Sequence, residues 1–456
     1  MTPRCHIVPP YLLRKLSQSE DPEISARARR TLRSDTRFRS DRLGAEAGHG
    51  APALQSTSPA AARQLWDARG TERLPGTLIR RGDDPATGDP AADEAWDGFG
   101  ATWRLLFEAF GRNSIDGSGV TLDGTVHYGR GYDNAFWDGE RMVFGDGDGE
   151  IFGRFTASLE VIGHELAHGV TELTAGLIYS GQPGALNEHM SDVLGVLVKQ
   201  RTLGLRAEES DWLVGADLLL PGVAGVALRN MLHPGTAYDD PRLGADPQPA
   251  HFSDFVLTRD DNGGVHINSG IPNRAFALAA LAVGGDAWSG VGQVWFDVLT
   301  GEGIRARTDF RGFARLTVAA ARARFGPDSA HAEAIADAWR TVGIAPIVQA
   351  PAASDAPDAP DVPAAAEADL LLRRTGGIAG LVKERRTSLD QLPPNDADRW
   401  AALLAGGDLS RLGGSATVPD GFCYQVACRD LDVNVTLAEG DLPRRLLGLF
   451  RRTLDS

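Results

Sequence analysis

The spacing of apolar positions changes from block to block along the 456 residues. From about 51 to 156 the chain runs in short alternating stretches broken by Gly and Asp, as in 120–128 and 141–144, which predicts a mainly β block with one helix over 93–110. From 157 to 345 the period becomes helical. Leu159, Val161, Ile162, Leu166, Val170 and Leu173 form one stripe over 157–176 with Gly176 as its stop, and further helices are expected over 271–283, 292–300 and 309–325. Residues 346–369 exchange bulky apolar side chains for Pro, Ala and Asp and read as an extended acidic linker. Order returns over 370–456, with strands at 370–374, 378–384, 422–428 and 432–437, a helix at 395–404 and a last helix after Pro443. The fold class is α+β and multidomain: a β-rich lobe, a helical lobe and a small α+β C-terminal domain.

The helix over 157–176 carries His164-Glu165-Leu166-Ala167-His168. Side chains four apart stack on one helical face, so both imidazoles reach a single ion while Glu165 stands beside it. In the next helical stretch Glu188 supplies a third ligand and leaves the fourth position to water. Asp192, one turn further on, is placed to accept the free N–H of a ligating histidine, and Asn187 is a second residue of that outer layer. Two imidazoles, one carboxylate and an open position describe a catalytic zinc site.

With these residues in view the chain resembles the thermolysin-like metallopeptidases. Asn134-Ala135-Phe136-Trp137 and Phe144-Gly145-Asp146-Gly147-Asp148-Gly149 lie upstream of the zinc helix, and Asp261-Asn262-Gly263-Gly264-Val265-His266-Ile267-Asn268-Ser269-Gly270 downstream, in the family's order over roughly residues 70–345. The resemblance implies a two-lobed catalytic unit, residues 51–156 and 157–345, with zinc at the junction. It assigns Glu165 as general base, His266 and Tyr179 as donors to the oxyanion, and Asp261 as the group orienting His266. By the same likeness Arg229 holds the substrate carbonyl, and Asn134 and Ala135 pair with the peptide backbone. Phe152, Val161, Val214 and Leu228 form the pocket after the cut bond, so cleavage is expected on the amino side of bulky hydrophobic residues. The family's paired calcium site is short of oxygen ligands here, where Lys199, Leu213 and Ala216 accompany only Glu160 and Asp211. The turn at Asp146 and Asp148 leaves room for one cation, so calcium stays open.

Residues 1–50 are similar to the short propeptide of the protealysin-type branch, through Cys5, Pro9, Pro10 and Tyr11. Cys5 either gives a thiolate to the zinc, displacing water, or packs as a small hydrophobe. Residues 370–456 resemble emfourin, a small inhibitor of such peptidases, through Arg374-Thr375-Gly376-Gly377-Ile378-Ala379-Gly380, Leu392-Pro393 and Gly440-Asp441-Leu442-Pro443. Enzyme and inhibitor would then share one chain, and latency would rest on two intramolecular locks.

Composition narrows the partners. A net charge of −15 leaves no basic footprint for nucleic acid, and the 42% hydrophobic content contains no run that spans a bilayer. The resemblance implies protein or peptide substrates. Basic clusters such as Arg27-Ala28-Arg29-Arg30 read as solvated faces or processing sites. Three cysteines, Cys5, Cys423 and Cys428, make no disulfide framework. The N-terminus lacks a signal-peptide pattern, so cytoplasmic synthesis and leaderless secretion are expected. The alternative function is a zinc-binding inactive homologue acting as an interaction module; against it, Glu165, which the chemistry needs and metal binding does not, is present.

Overall fold

The structure, a computed structural model, describes residues 6–44, 60–346, 369–376, 381–405, 422–428, 433–439, 442 and 444–455. Cys5 and nearly all of the expected linker over 346–369 lie outside the described residues. The chain divides into two units, Met1–Ala350 and Pro351–Ser456.

The N-terminal segment forms α1 (Pro10–Leu16) and α2 (Pro22–Gly44). The long second helix went unread in the sequence because Arg and Ser obscure its apolar stripe. Its start is nonetheless written there: Asp21 accepts the Glu23 N–H at 2.8 Å, and Pro22 takes the first helical position, where a missing N–H costs nothing. The basic cluster is not merely a solvated face, since Arg27 donates to Glu150 at 2.8 Å and Arg29 to the Ser17 carbonyl at 3.0 Å.

The β block folds as β1 (Arg63–Asp67), β2 (Thr77–Arg81), α3 (Pro90–Arg104), β3 (Leu122–Val126), β4 (Ala135–Trp137) and β5 (Met142–Phe144). Asp89 caps α3 by accepting the Ala91 and Ala92 N–H groups, three residues ahead of the expected start, and a wide turn over Leu105–Ala109 carries the helix to Phe110. The strands lie in the order β2-β1-β3-β5-β4, with β1, β3 and β5 parallel and the outer two antiparallel to their neighbours. An edge strand leaves backbone N–H and C=O groups unpaired. Here the chain's own N-terminus covers them: His6 bridges Phe136 in antiparallel sense, and the Ile7 N–H donates to the Ala135 carbonyl at 3.2 Å.

The helical lobe begins with α4 (Leu159–Glu172) and α5 (Gly181–Leu203). Ser158 caps α4, which stops four residues before Gly176, so Leu173 leaves the buried stripe and is 55% exposed. Two short hairpins follow, β6 (Leu213–Val214) with β7 (Arg229–Asn230) and β8 (Asp239–Asp240) with β9 (Gly244–Ala245). Then come α6 (Asp261–Asn268), α7 (Gly270–Val283), α8 (Val291–Thr300), α9 (Phe310–Phe325) and α10 (Ala330–Thr341). One apolar core runs through both lobes and takes in Ile7, Val8, Leu12, Leu13 and Leu16 of the N-terminal segment. Each such side chain contributes about 1.5–3 kcal/mol on burial, so the segment is held by packing as well as by hydrogen bonds.

In the second unit β10 (Asp369–Gly376), β11 (Leu381–Ser388), β12 (Phe422–Cys428) and β13 (Val433–Ala438) form an antiparallel sheet in the order β11-β10-β12-β13. Strand β11 runs to Ser388 rather than ending at 384, because its charged Lys-Glu-Arg-Arg run lies on a sheet edge where polar residues are tolerated. Alternate residues Leu370, Leu372, Tyr424, Val426 and Cys428 pack with α11 (Pro394–Ala405) and α12 (Arg444–Asp455). Trp400 stacks on Phe450 and donates to Thr453 at 2.8 Å.

One exposed link ties the β lobe together. His127 places Nδ1 2.9 Å from Asp146 and Nε2 3.0 Å from Asp89, joining the turn after β5 to the cap of α3. Partial burial pushes the imidazole pKa down, but the hydrogen bonds and charges of Asp146 and Asp89 outweigh it and raise it above 6.5. The link therefore stabilises fully below the unfolded value near 6.5 and fades as pH rises through the raised folded value. Urea unfolding of wild type and His127→Gln should show a stability gap that is largest below about pH 6.5 and shrinks above it; a gap independent of pH would refute this.

Candidate metal centre

Two glycines let the ligand helices meet. A Cβ on Gly195 would stand 2.3 Å from the Glu160 carbonyl oxygen, and one on Gly163 would stand 3.0 Å from the Gly195 Cα. With only hydrogens at that crossing, α4 and α5 approach until His164, His168 and Glu188 converge with their ligand atoms within 4.8 Å of one another. His164 Nε2 is 3.1 Å from His168 Nε2 and 3.6 Å from Glu188 Oε2, and His168 Nε2 is 3.7 Å from Glu188 Oε1. Ligands about 2.1 Å from a tetrahedral zinc stand about 3.4 Å apart, so these separations fit that ion.

The protonation pattern asks for a cation. His164 Nδ1 lies 2.8 Å from Asp192 Oδ1, and His168 Nδ1 lies 2.8 Å from Asn187 Oδ1, whose amide nitrogen donates to the Leu177 carbonyl. Both Nδ1 atoms face acceptors and carry the proton, which leaves two Nε2 lone pairs pointing at each other and at a carboxylate. Burial pushes His168 down to about 4, so a proton does not fill that gap near neutrality. Burial pushes Glu188 up, but His266, His168 and His164 outweigh it and hold the carboxylate at about 2. Two imidazole lone pairs and a carboxylate converging on one point are the donor set that a divalent metal would satisfy.

Glu165 lies beside this cluster, fully buried, with Oε2 accepting the Trp137 N–H at 3.0 Å and Oε1 without a hydrogen-bond partner among the described residues. Burial and then the Glu188 charge push its pKa well above the usual carboxylate range. Across the cleft the Asp-Asn-Gly-Gly run turns left-handed, with φ of 52°, 51°, 89° and 76° at Asp261, Asn262, Gly263 and Gly264, which suits small and Asx residues. The turn brings Asp261 back onto His266, accepting from Nδ1 at 2.6 Å and from the backbone N–H at 2.9 Å. Burial pushes the His266 imidazole down, yet Asp261 and Glu188 raise it overall and keep it a donor. Tyr179 O–H donates to Glu188 Oε1 and lies 3.2 Å from His266 Nε2.

Arg229 sits on the far side of Asp192, donating through Nη2 at 2.8 Å and Nε at 2.9 Å, and through Nη1 to the Ile7 carbonyl at 3.2 Å. The Val8 N–H donates to Asn134 Oδ1 at 2.9 Å, and the His6 carbonyl lies 3.2 Å from His266 Nε2. Val161, Phe152, Val214 and Leu228 are all buried in the same core as Ile7, with the Leu228 N–H donating to the Val214 carbonyl at 3.0 Å. A polar cleft of about 200 Å³ remains open beside His6, Tyr179, Asp261 and His266. The structure brings His164, His168 and Glu188 together and links Asp192, Asn187, Tyr179, His266, Asp261 and Arg229 to them by hydrogen bonds, while Asn134 and Ala135 meet the N-terminal segment and Phe152, Val161, Val214 and Leu228 are buried core residues. Sequence reasoning missed the Trp137 N–H, Ser191 at 3.0 Å from His168 Nδ1, the Gly163–Gly195 crossing and Asp35. Asp35 is buried under the cleft rim, accepting from Tyr132 at 2.6 Å and Asn134 at 3.2 Å. Trp137 lies in a segment the sequence singled out, but what its N–H and the others meet is set by neighbours distant in sequence.

At the suspected calcium positions, Lys199 Nζ lies 3.0 Å from Asp211 and 3.5 Å from Glu160. The positive charge between those carboxylates is the chain's own ammonium. Asp148 accepts the N–H groups of Glu150, Ile151 and Phe152, and Asp146 is taken by His127, so that turn is built from internal hydrogen bonds.

A zinc-ligand helix closed by a glutamate from the next helix, at the seam of a β lobe and a helical lobe, defines a metallopeptidase. The thermolysin metallopeptidase catalytic domain matches residues 45–172, its alpha-helical domain residues 175–344, and emfourin residues 372–454. The chain is 48% identical over 344 residues to an extracellular metalloprotease of Pectobacterium carotovorum subsp. carotovorum, covering 75% of this chain and 97% of that one. It is 50% identical over 285 residues to protease PrtS of Photorhabdus sp. (strain Az29), covering 62% and 76%. The solved precursor of protealysin, a metalloproteinase from Serratia proteamaculans, is similar at a TM-score of 0.69 and 48% identity, over 75% of this chain and 100% of that one. The chain belongs to the thermolysin family of zinc-dependent metallopeptidases, hydrolases of peptide bonds, and bears an emfourin domain.

The glycine crossing gives a direct check. Gly195→Ala should lose about 1–3 kcal/mol of stability from overpacking and bind zinc more weakly, by denaturant titration and chelator competition; wild-type zinc affinity in this variant would contradict the account.

Proposed function

We propose that this chain is a neutral endopeptidase that cuts on the amino side of bulky hydrophobic residues, made latent by residues 1–50 and restrained again by its emfourin domain. The observation that carries the reading is the N-terminal segment in the cleft. The Ile7 N–H on Ala135, the Ile7 carbonyl on Arg229, the Val8 N–H on Asn134 and the His6 carbonyl beside His266 are contacts a bound peptide would make. Ile7, the residue following that carbonyl, is apolar and fully buried, in keeping with a pocket formed by Phe152, Val161, Val214 and Leu228.

In the mechanism His164, His168 and Glu188 hold zinc, which when bound polarises the scissile carbonyl and acidifies water. Glu165, held beside the cluster by the Trp137 N–H, takes the proton of the attacking water and passes it to the departing amine. His266, kept a donor by Asp261, and Tyr179 stabilise the negative oxygen that develops. Arg229, anchored on Asp192, grips the next carbonyl, and Asn134 and Ala135 hold the peptide extended along β4. Release from the N-terminal segment exposes these groups. Action outside the cell is part of this proposal, in line with the relative named an extracellular metalloprotease.

Three measurements test it. Glu165→Gln should retain zinc and lower kcat by about a hundredfold to ten-thousandfold on a peptide substrate; undiminished hydrolysis would remove the general base. A peptide-library digest should place Leu, Phe, Ile or Val immediately after the cut, and charged residues there would contradict the pocket. With the N-terminal segment removed, deletion of 346–456 should raise activity about tenfold or more, since a tethered inhibitor acts at an effective concentration of order millimolar; equal rates would exclude restraint within the chain.

A further inference from the structure

Behind the centre a line of four buried side chains from three helices ends on Asp192. Trp295 Nε1 of α8 donates to His189 Nε2 at 2.7 Å. His189 Nδ1 of α5 lies 2.7 Å from Asn273 Oδ1, and Asn273 Nδ2 of α7 donates to Asp192 Oδ2 at 2.8 Å. All four residues are fully buried. The indole can only donate, so His189 Nε2 must accept and Nδ1 must carry the proton. Asn273 must then turn its oxygen to His189 and its amide hydrogens to Asp192; the flipped amide would set N–H against N–H and oxygen against carboxylate. The polarity of the whole line is thereby forced, and each bond polarises the next.

Asp192 is where two functions meet. Oδ1 accepts from His164 Nδ1 and Arg229 Nη2, while Oδ2 accepts from Arg229 Nε and Asn273. Without the Asn273 contact Oδ2 is held, among the described residues, by Arg229 alone, and the carboxylate that orients His164 loses the partner that ties it to α7. We propose that Asn273, locked by His189 and Trp295, is a positioning residue that sets the plane of Asp192, and through it both zinc affinity and the grip of Arg229 on the substrate carbonyl. This rests on the zinc peptidase reading above.

The test uses the full chain with its N-terminal segment removed by maturation. Zinc dissociation constants are measured by chelator competition below the melting temperature, beside kcat and KM on a peptide at saturating zinc. Asn273→Leu should weaken zinc binding about tenfold to a hundredfold and raise KM at saturating metal. A role in packing alone would lower the melting temperature and leave zinc affinity and KM unmoved, and that result overturns the inference. Should Asn273→Leu fail to fold, the pair at His189 decides. His189→Gln keeps a donor towards Asn273 and an acceptor for Trp295 and should retain wild-type zinc affinity, whereas His189→Leu should lose affinity as Asn273→Leu does. Equal affinity in the two His189 variants overturns the inference. Failure of the wild-type chain to take up zinc overturns instead the reading of the centre on which it rests.

Discussion

Everything in the catalytic unit depends on how closely two helices approach. Helices α4 and α5 cross where Gly163 faces Gly195, and the missing side chains bring His164 and His168 to Glu188. The result is a cluster whose lone pairs repel unless a cation stands among them. The surrounding hydrogen bonds hold the three groups in that arrangement. Asp192, Asn187 and Ser191 fix the two rings from behind, so the nitrogens have no rotamer in which to escape.

The same economy joins the candidate metal ligands to Arg229. Asp192 is shared by His164 and by Arg229, a buried ion pair in which both carboxylate oxygens and all three guanidinium nitrogens make hydrogen bonds. Burial disfavours charge at Asp192, but Arg229 and His164 outweigh it and keep the carboxylate ionised. A change felt by the arginine is therefore felt by the zinc ligand. The N-terminal segment exploits this by docking its Ile7 carbonyl on Arg229 and its apolar side chains in the common core. Asp35 reinforces the dock from the opposite side, under Tyr132 and Asn134.

The C-terminal unit has its own core and its own logic. Alternation along β10 and β12 turns one sheet face towards Trp400, Leu449 and Phe450, and the charged edge strand β11 is a normal defence against uncontrolled pairing. The unit is an emfourin domain carried on the same chain as a peptidase.

Sequence by itself determined the class of site. His164-Glu165-Leu166-Ala167-His168 sets two imidazoles on one helical face with Glu165 beside them, and Glu188 with Asp192 adds two carboxylates one helix later; the block boundaries followed from changes of hydrophobic period. The Asp-Asn-Gly-Gly segment was singled out by resemblance alone, and its left-handed backbone came from the structure. What tertiary structure alone decided are the contacts made between distant segments: Trp137 on Glu165, Lys199 between Glu160 and Asp211, and the line from Trp295 through His189 and Asn273 to Asp192. A lone tryptophan, lysine, histidine or asparagine carries no periodic or local signal. Its role is set by which polar group it meets once the helices pack, and a buried polar group must find a partner wherever the fold supplies one.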